Sequence, residues 1–118
     1  MSARALIEHW VALFNGGDAD GIAGLYAEDA VNHQIPLEPV VGRPAIAEFH
    51  RATFAGGPLT CNPINLVVEG EWAALEWTDP DGFRGCGFFR VHDGLIVQQR
   101  GYWDSAQLSR VHPAVHGG

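Results

Sequence analysis

Three consecutive polar residues, Asn32, His33 and Gln34, interrupt a strand that is otherwise apolar. Asn and Gln side chains donate and accept hydrogen bonds, and the imidazole of His exchanges protons near neutral pH. Because side chains alternate between the two faces of a strand, Asn32 and Gln34 share one face and His33 lies on the other. We expect one face to line a pocket. Asn32 and Gln34 would bind a ligand there, or would bond each other or Gln99 in a small polar core.

His33 and Asp79 are the two candidates for catalytic proton transfer. His33 becomes a general base in the pocket if the strand register shifts by one residue, and is otherwise a surface or interface residue. Asp79 ends a later strand beside Trp77, where burial would suit it to acid–base catalysis near neutral pH. Asp79 also begins a turn at residues 79–82, and Asp is favoured at the first position of turns for purely structural reasons.

Hydrophobic patterns predict the elements that hold these residues. Apolar side chains recur every three or four residues over 3–15, which indicates a helix that ends at Gly16 and Gly17. The pattern then predicts a second short helix after Asp18 or Asp20, a strand at 30–35, a loop at 36–39, a third helix from Gly42 and Pro44, and strands at 59–69, 72–79, 83–92 and 95–103. Residues 105–118 are expected as a loose tail, or one that docks. The whole chain, 1–118, is predicted to be one domain.

Composition limits the classes of function. The chain has 118 residues, of which 47% are apolar, and a formal net charge of −7. Its seven basic residues are all Arg and are scattered, which argues against a nucleic acid partner because phosphate binding needs clustered positive charge. No apolar run is long enough to span a membrane and no signal-peptide pattern is present, so we expect a cytoplasmic protein. Cys61 and Cys86 are expected to be reduced thiols.

Metal and cofactor motifs are not evident in the sequence. Of the six His residues, the pair His112 and His116 has a spacing that suits metal ligands, and two ligands alone do not make a site. There is no glycine-rich nucleotide-binding motif, no nucleophile elbow and no haem attachment motif. We therefore expect no metal, no organic cofactor, and a small hydrophobic molecule as the partner.

The order of elements resembles the nuclear-transport-factor-2-like superfamily over nearly the whole chain. The segment 32–43, which runs from Asn32 through Pro36 and Pro39 to Arg43, is similar to one that limonene-epoxide hydrolases carry after their second helix. Residues 10–18 also resemble ketosteroid isomerases and SnoaL-like polyketide cyclases. The resemblance implies an α+β fold, in which a cone-shaped, curved antiparallel sheet carries three N-terminal helices on its concave face. It also implies a homodimer formed through the outer face of the sheet.

The catalytic residues of the epoxide hydrolases are mostly replaced. That family uses an Asp-Arg-Asp set together with a Tyr and an Asn. Asn32 stands at the Tyr position, Gln34 at the Asn position and Trp77 at the Arg position. Asp79 matches one Asp, and Gly101 stands at the other. The resemblance thus implies the scaffold and the pocket walls more than this mechanism.

The ketosteroid-isomerase residues are not retained either. The Tyr donor of that family falls at Trp10, its Asp base at or next to His33 or Gln34, and its second Asp near Gly87. An indole N–H can donate a hydrogen bond but does not readily transfer a proton. The resemblance therefore implies the scaffold and the pocket walls, and not the catalytic residues of either family.

The register carried over from these relatives predicts the residues that line the cavity. Eight strand or turn residues point inward: Asn32, Gln34, Trp77, Asp79, Phe83, Phe89, Gln99 and Trp103. Trp10, Phe14 and His50 join them from the helices. The Trp and Phe rings suit a hydrophobic ligand, although they would also make an ordinary core, and His50 could be a satisfied core His.

The resemblance therefore implies a SnoaL-like small-molecule protein. Its function would be that of a cofactor-free isomerase, cyclase or epoxide hydrolase that uses acid–base chemistry on a small hydrophobic compound. The alternative is a non-catalytic binding protein for a hydrophobic metabolite.

Overall fold

The computed structural model describes residues 1–57 and 59–115, which form an α+β fold. The elements follow the chain in this order: α1 (Ala3–Asn15), α2 (Ala19–Ala23), β1 (Tyr26–Gln34), β2 (Val40–Val41), α3 (Arg43–Ala55), β3 (Asn62–Glu69), β4 (Trp72–Thr78), β5 (Arg84–His92), β6 (Leu95–Trp103) and α4 (Ser105–Val111). The helix predicted at 3–15 and the strand predicted at 95–103 agree with α1 and β6 to the residue. The sequence pattern predicts neither β2 nor α4.

Within the described residues, six strands form one curved sheet that is not closed into a barrel, with the helices on one face. This confirms the predicted fold class. The strand order is β2-β1-β6-β5-β4-β3, and β3 to β6 follow one another as antiparallel hairpins. One pairing differs from the expected antiparallel sheet, because β1 lies parallel to β6. A long crossover separates the two strands in sequence, so no hairpin constrains their relative direction.

The pairing of β1 with β6 brings together residues that are far apart in sequence. Asn32 lies beside Gln99, and Gln34 lies beside Gly101. In β1, Asn32 is buried and faces the helices, as the alternation of side chains predicts.

The core lies between α1, α3 and the inner face of the sheet. The buried face of α1 repeats at the spacing of one helical stripe: Leu6, Ile7, Trp10 and Val11. It packs against inner-face residues of the sheet such as Leu75, Phe89 and Ile96, each 1% exposed or less. Burial of each such side chain contributes about 1.5–3 kcal/mol, so these contacts fix α1 on the sheet. None of the helices in the described parts of the chain is long and apolar enough to cross a membrane.

The start of β1 is tied to the start of α3. β1 begins at Tyr26, ahead of the strand predicted at 30–35, and Tyr26 is fully buried beside Ile96 of β6. Gly42, which precedes α3, has a φ angle of 93°, a conformation that glycine adopts without strain. Arg43 then donates two hydrogen bonds, of 2.9 and 2.7 Å, to the Tyr26 carbonyl oxygen. These contacts fix the loop that follows the polar strand.

The C-terminal segment docks on the fold as far as residue 115. Asp104 caps α4 by accepting a hydrogen bond from the backbone N–H of Ala106 at 2.8 Å. Leu108 and Val115 are buried in a small cluster with Phe83. Of the two alternatives for 105–118, the structure therefore has the docked one over 105–115, because these apolar side chains find a cluster to join. Residues 116–118 lie outside the described residues.

Candidate functional site

A cavity of about 110 Å³ lies between α1, α3 and the inner face of the sheet. Eleven residues are proposed for the site from the sequence, all within the described residues, and ten of them line this cavity: Trp10, Phe14, Asn32, Gln34, His50, Trp77, Asp79, Phe89, Gln99 and Trp103. The wall is mostly apolar and suits a small, largely apolar molecule. For scale, an apolar protein cavity of about 150 Å³ holds benzene.

The rest of the wall comes mainly from residues that the sequence analysis does not propose for the site. These are Phe49, Thr53, Leu59, Thr60, Cys61, Leu75, Gly87, Gly101, Leu108 and Val115, and Phe83 lies with them as its register predicts. Thr53 follows His50 by one helical turn, so helical spacing is a signal that could have found it. Leu108 and Val115 reach the cavity from the C-terminal segment, and no local pattern indicates that they do.

A chain of hydrogen bonds runs from Trp103 to Asn32 along the wall formed by β6 and β1. Trp103 Nε1 donates to Gln34 Oε1 at 2.8 Å, and Gln34 Nε2 donates to Asn32 Oδ1 at 2.7 Å. Asn32 is 1% exposed, and its Nδ2 has no hydrogen-bond partner among the described residues. A buried donor without an acceptor costs about 1–3 kcal/mol. An oxygen atom brought to Nδ2 would therefore be bound favourably.

Gly101 leaves the space that the Gln34 side chain occupies. A Cβ atom at Gly101 would lie 1.9 Å from Gln34 Oε1 and 2.5 Å from its Cδ, far inside contact distance. Gly101 thus has a steric role in this protein. It allows Gln34 to lie across β6 and reach Trp103.

A second chain of hydrogen bonds links Trp10, Tyr26 and Gln99. Trp10 Nε1 donates to the Tyr26 hydroxyl at 2.9 Å, and that hydroxyl donates to Gln99 Oε1. Burial raises the pKa of Tyr26 well above its ordinary value, and the hydrogen bond from Trp10 opposes this effect only in part. Tyr26 is therefore a neutral donor at physiological pH. No pattern in the sequence indicates this role, because Gln99 is 73 residues away and no local spacing connects the two.

The Asp79 carboxylate closes its own turn at the edge of the cavity. Its Oδ1 accepts hydrogen bonds from the backbone N–H groups of Asp81 and Phe83, each at 2.9 Å. Its Oδ2 bonds to Nε2 of His112, which follows α4. The Asp79 side chain is 3% exposed and lines the cavity. Asp79 thus both closes the turn and forms part of the cavity wall. Both of its oxygen atoms have partners.

Three side chains at this turn present atoms of the kind that ligate metals. One such atom from each of Asp79, Asp81 and His112 lies within 4.8 Å of the others. Because the two Asp79 oxygen atoms accept hydrogen bonds from the turn and bond His112, these contacts account for the geometry of the cluster. His116, the other half of the His pair noted in the sequence, lies outside the described residues.

His33 does not line the cavity, so the alternative in which a shifted register brings it into the pocket is not the one that the structure has. Asn32 and Gln34 face inward, so the alternation of the strand directs His33 to the opposite face of β1. There its Nε2 donates a hydrogen bond to the Leu37 carbonyl oxygen at 3.0 Å. The shifted register that would make His33 a general base in the pocket is not the register of this structure.

Aromatic rings form much of the apolar wall. Trp10 stacks on Phe14 with ring centroids 5.2 Å apart, and it meets Phe89 edge-on at 5.3 Å. His50 lies among these rings, and its Nδ1 donates to the Ile46 carbonyl oxygen at 2.9 Å, which places the ring proton on Nδ1. Stacked and edge-on contacts restrict ring motion, so the wall has a defined shape.

Solved structures share this fold with the chain. An NTF2-like protein of unknown function from Cytophaga hutchinsonii gives a TM-score of 0.81 at 14% identity, over 92% of this chain and 95% of that one. An LEH-like epoxide hydrolase from M. tuberculosis gives 0.78 at 19% identity, over 94% and 89%. A hypothetical protein with a ketosteroid isomerase-like fold from Catenulispora acidiphila, in complex with trimethylamine, gives 0.80 at 16% identity, over 92% and 94%. At these identities the likeness shows the fold alone, which is that of NTF2-like proteins.

The amino-acid sequence narrows this class to a family. The SnoaL-like domain matches residues 7–99, which is most of the chain and extends from α1 to Gln99 in β6. The chain therefore belongs to the SnoaL-like domain family, and the predicted superfamily and group are confirmed. The reaction and the roles of the individual site residues stay predictions.

Proposed function

We propose that this SnoaL-like protein holds a small, largely apolar molecule in the cavity, and that Asn32 donates a hydrogen bond to an oxygen atom of that molecule. One observation carries the proposal. Asn32 lines the cavity, and its Nδ2 is a buried donor for which the described residues supply no acceptor. The aromatic wall would supply apolar contact, and the unsatisfied donor would fix the orientation of the bound molecule.

The reaction that we propose is cofactor-free isomerisation, cyclisation or epoxide opening by acid–base catalysis. Asn32 would polarise the oxygen atom, and Asp79 would accept a proton, because its carboxylate lines the same cavity. His112 holds Asp79 Oδ2, so proton transfer requires this contact to open. One relative of the fold supports this class of reaction, since it is named an LEH-like epoxide hydrolase.

A non-catalytic binding protein for a hydrophobic metabolite is the second candidate. It is favoured because both oxygen atoms of the Asp79 carboxylate already have partners. Oδ1 accepts two backbone hydrogen bonds, and Oδ2 bonds His112. In this alternative Asp79 only holds the turn, and the molecule leaves the cavity unchanged.

Turnover by the wild-type protein and by Asp79→Asn distinguishes the two candidates. The substrates to test are epoxides, β,γ-unsaturated ketones and polyketide-like esters. If Asp79 is the base, Asp79→Asn lowers turnover by about 10²–10⁴-fold. The matched control is Asp81→Asn, an exposed change in the same turn, which should leave turnover unchanged. No turnover of any substrate, with equal ligand affinity in wild type and Asp79→Asn, would establish the binding protein instead.

The donor role of Asn32 has its own test. Asn32→Leu keeps a similar shape and removes the amide, so it should weaken binding of cyclohexanone about 3- to 10-fold. Methylenecyclohexane has the same shape without the oxygen atom, and its binding should be retained. Equal loss of both ligands would show that Asn32 only shapes the cavity.

We also propose a homodimer that forms through the outer face of the sheet. Trp72, Phe88 and Tyr102 are each more than a third exposed, and the Arg100 guanidinium lies 5.1 Å from the centre of the Trp72 ring. Contiguous exposed apolar patches mark interaction sites more often than isolated apolar residues do. In analytical ultracentrifugation, Phe88→Arg should be monomeric and Glu8→Arg, an exposed change on α1, should remain dimeric. A monomeric wild-type protein would contradict this proposal.

We further propose that the protein acts in the cytoplasm without a cofactor, a nucleic acid or a membrane. The net charge of −7 and the two free thiols, Cys61 and Cys86, support this location and these exclusions. Cell fractionation of the native host tests the location, and recovery of the protein from the membrane fraction would contradict it.

A further inference from the structure

The hydrogen-bond chain on β1 and β6 begins at an indole, which fixes the direction of every bond in it. An indole N–H donates and cannot accept. Trp103 therefore requires Gln34 to present its oxygen, so that Gln34 turns its nitrogen toward Asn32. Asn32 then accepts with Oδ1, and its NH₂ group becomes the end of the chain.

The second chain has the same polarity. Trp10 donates to the Tyr26 oxygen, so the hydroxyl proton is directed to Gln99 Oε1. Gln99 consequently has its NH₂ group left to donate to other partners. Burial keeps Tyr26 protonated, which maintains this direction at physiological pH.

The two amide groups at the ends of these chains are neighbours. Asn32 and Gln99 are paired across β1 and β6, line the same cavity, and are 1% and 5% exposed. Among the described residues, the cavity lining includes no Arg, and its carboxylate is that of Asp79. A negatively charged ligand would meet this carboxylate without a compensating cation, so neutral ligands fit the site better.

We propose that Trp103 and Trp10 are positioning residues that fix Asn32 and Gln99 as a pair of hydrogen-bond donors, and that the cavity therefore selects neutral acceptor molecules, such as ketones, esters and epoxides, over alcohols. An alcohol oxygen can accept from Asn32, but the amide oxygens of Asn32, Gln34 and Gln99 each already accept a hydrogen bond within the two chains. Both oxygen atoms of Asp79 are engaged by the turn and by His112. The O–H of the alcohol must therefore give up its bond to water for an acceptor that is already in use. The inference rests on the proposed function, and it adds the class of ligand and the residues that impose it.

Gln34→Glu reverses the first chain and so tests the proposal. An ionised Glu at this position accepts from Trp103 but has no proton for Asn32 Oδ1. Asn32 must then turn over, donate from Nδ2 to the carboxylate, and present Oδ1 to the cavity. The matched control is Gln98→Glu, which adds the same charge on β6 at a residue that does not line the cavity.

The probes are cyclohexanone, cyclohexanol and methylenecyclohexane, which share a shape and differ in their polar group. They are titrated by NMR at about pH 8, where a carboxylate is ionised. The wild-type protein and Gln98→Glu should bind cyclohexanone about 3- to 10-fold more tightly than cyclohexanol, and Gln34→Glu should reverse this order. A change that only loosened the fold would weaken all three ligands and leave their order unchanged.

Trp103→Phe keeps the proposal testable if Gln34→Glu does not fold. Without the indole donor, Gln34 can present either end of its amide, so the ratio of cyclohexanone to cyclohexanol affinity should approach one. An unchanged order in Gln34→Glu, or an unchanged ratio in Trp103→Phe, overturns the inference and leaves the proposed function standing. Failure of all three probes to bind the wild-type protein overturns the proposed function, and the inference with it.

Discussion

Gly101→Ala should break the hydrogen-bond chain that orients Asn32. The added methyl group would meet Gln34 Oε1 at 1.9 Å, so one of the two groups must move. Gln34 is the group that yields, because the contact is with the far end of a flexible side chain. When the Gln34 amide moves, it loses two hydrogen bonds, one from Trp103 Nε1 at 2.8 Å and one to Asn32 Oδ1 at 2.7 Å.

The size of the effect follows from the two lost bonds. Each contributes about 0.5–1.5 kcal/mol, so together they remove about 1–3 kcal/mol of stability. Replacing glycine by alanine at a position that needs no positive φ restores about 0.4–1 kcal/mol through the unfolded chain. The free energy of unfolding of Gly101→Ala should therefore fall by about 1 kcal/mol. Urea denaturation followed by Trp fluorescence measures this difference, with an unchanged m value.

Gly87→Ala is the matched control for this prediction. Gly87 is paired with Gly101 across β5 and β6 and lines the same cavity, and a Cβ atom there would meet the Arg100 carbonyl oxygen at an ordinary 3.4 Å. Gly87→Ala should be neutral or stabilising by about 0.4–1 kcal/mol. Combining Gly101→Ala with Gln34→Ala removes the clash, so the double variant should show a coupling of about 1 kcal/mol. Equal stability of the two glycine variants, or additive losses in the double variant, would show that the added methyl group does not displace Gln34.

Three further predictions concern the buried groups. Tyr26→Phe should lower the free energy of unfolding by about 2 kcal/mol or more in urea denaturation, because it leaves an indole N–H and an amide oxygen buried without their partner. Tyr102→Phe, an exposed change, should stay within about 0.5 kcal/mol of wild type, and equal losses would contradict the prediction. Burial raises the pKa of Cys61 to about 12 from its ordinary value of 9.0, so folding favours the protonated thiol. The contribution of the protonated thiol to stability should be complete below the pKa that Cys61 has in the unfolded chain. It should fall by about 1.4 kcal/mol per pH unit as pH rises from that pKa toward the pKa in the folded protein. Cys61→Ala should flatten this slope between about pH 9 and 10, below the ordinary pKa of Tyr26, whose burial adds a slope of the same sign at higher pH, and an unchanged slope in this window would contradict the assignment. Cys86, which is partly exposed, should react with a thiol reagent before Cys61 does, and the reverse order would show that Cys61 is accessible.

Local patterns in the sequence predict the elements well where the elements depend on neighbours in the chain. The apolar stripe of α1 predicts that helix, and Asp93-Gly94, a residue pair typical of tight hairpin turns, predicts the turn before β6; both elements agree with the structure. The parallel pairing of β1 with β6 has no such signal, because it depends on where a long crossover returns. No local pattern predicts the docking of α4 either, because Leu108 and Val115 are buried only by contact with the distant residue Phe83.

The candidate site shows the same division. Strand alternation is enough to separate Asn32 and Gln34 from His33, once the register is right. It does not show that Gln34 lies over Gly101, which requires β1 and β6 to be adjacent. The two hydrogen-bond chains join residues 69 and 73 positions apart, so their polarity becomes visible only in the folded structure.

The proposed function depends first on Asn32 Nδ2 donating a hydrogen bond to an oxygen atom of a molecule bound in the cavity. NMR of the ¹⁵N-labelled protein tests it directly, with the Asn32 side-chain amide identified by its loss in Asn32→Leu. Titration with cyclohexanone should move this resonance to lower field in a saturable way, and methylenecyclohexane at equal occupancy should not. Cyclohexanone that binds without moving the Asn32 amide, or that does not bind at all, would contradict the account.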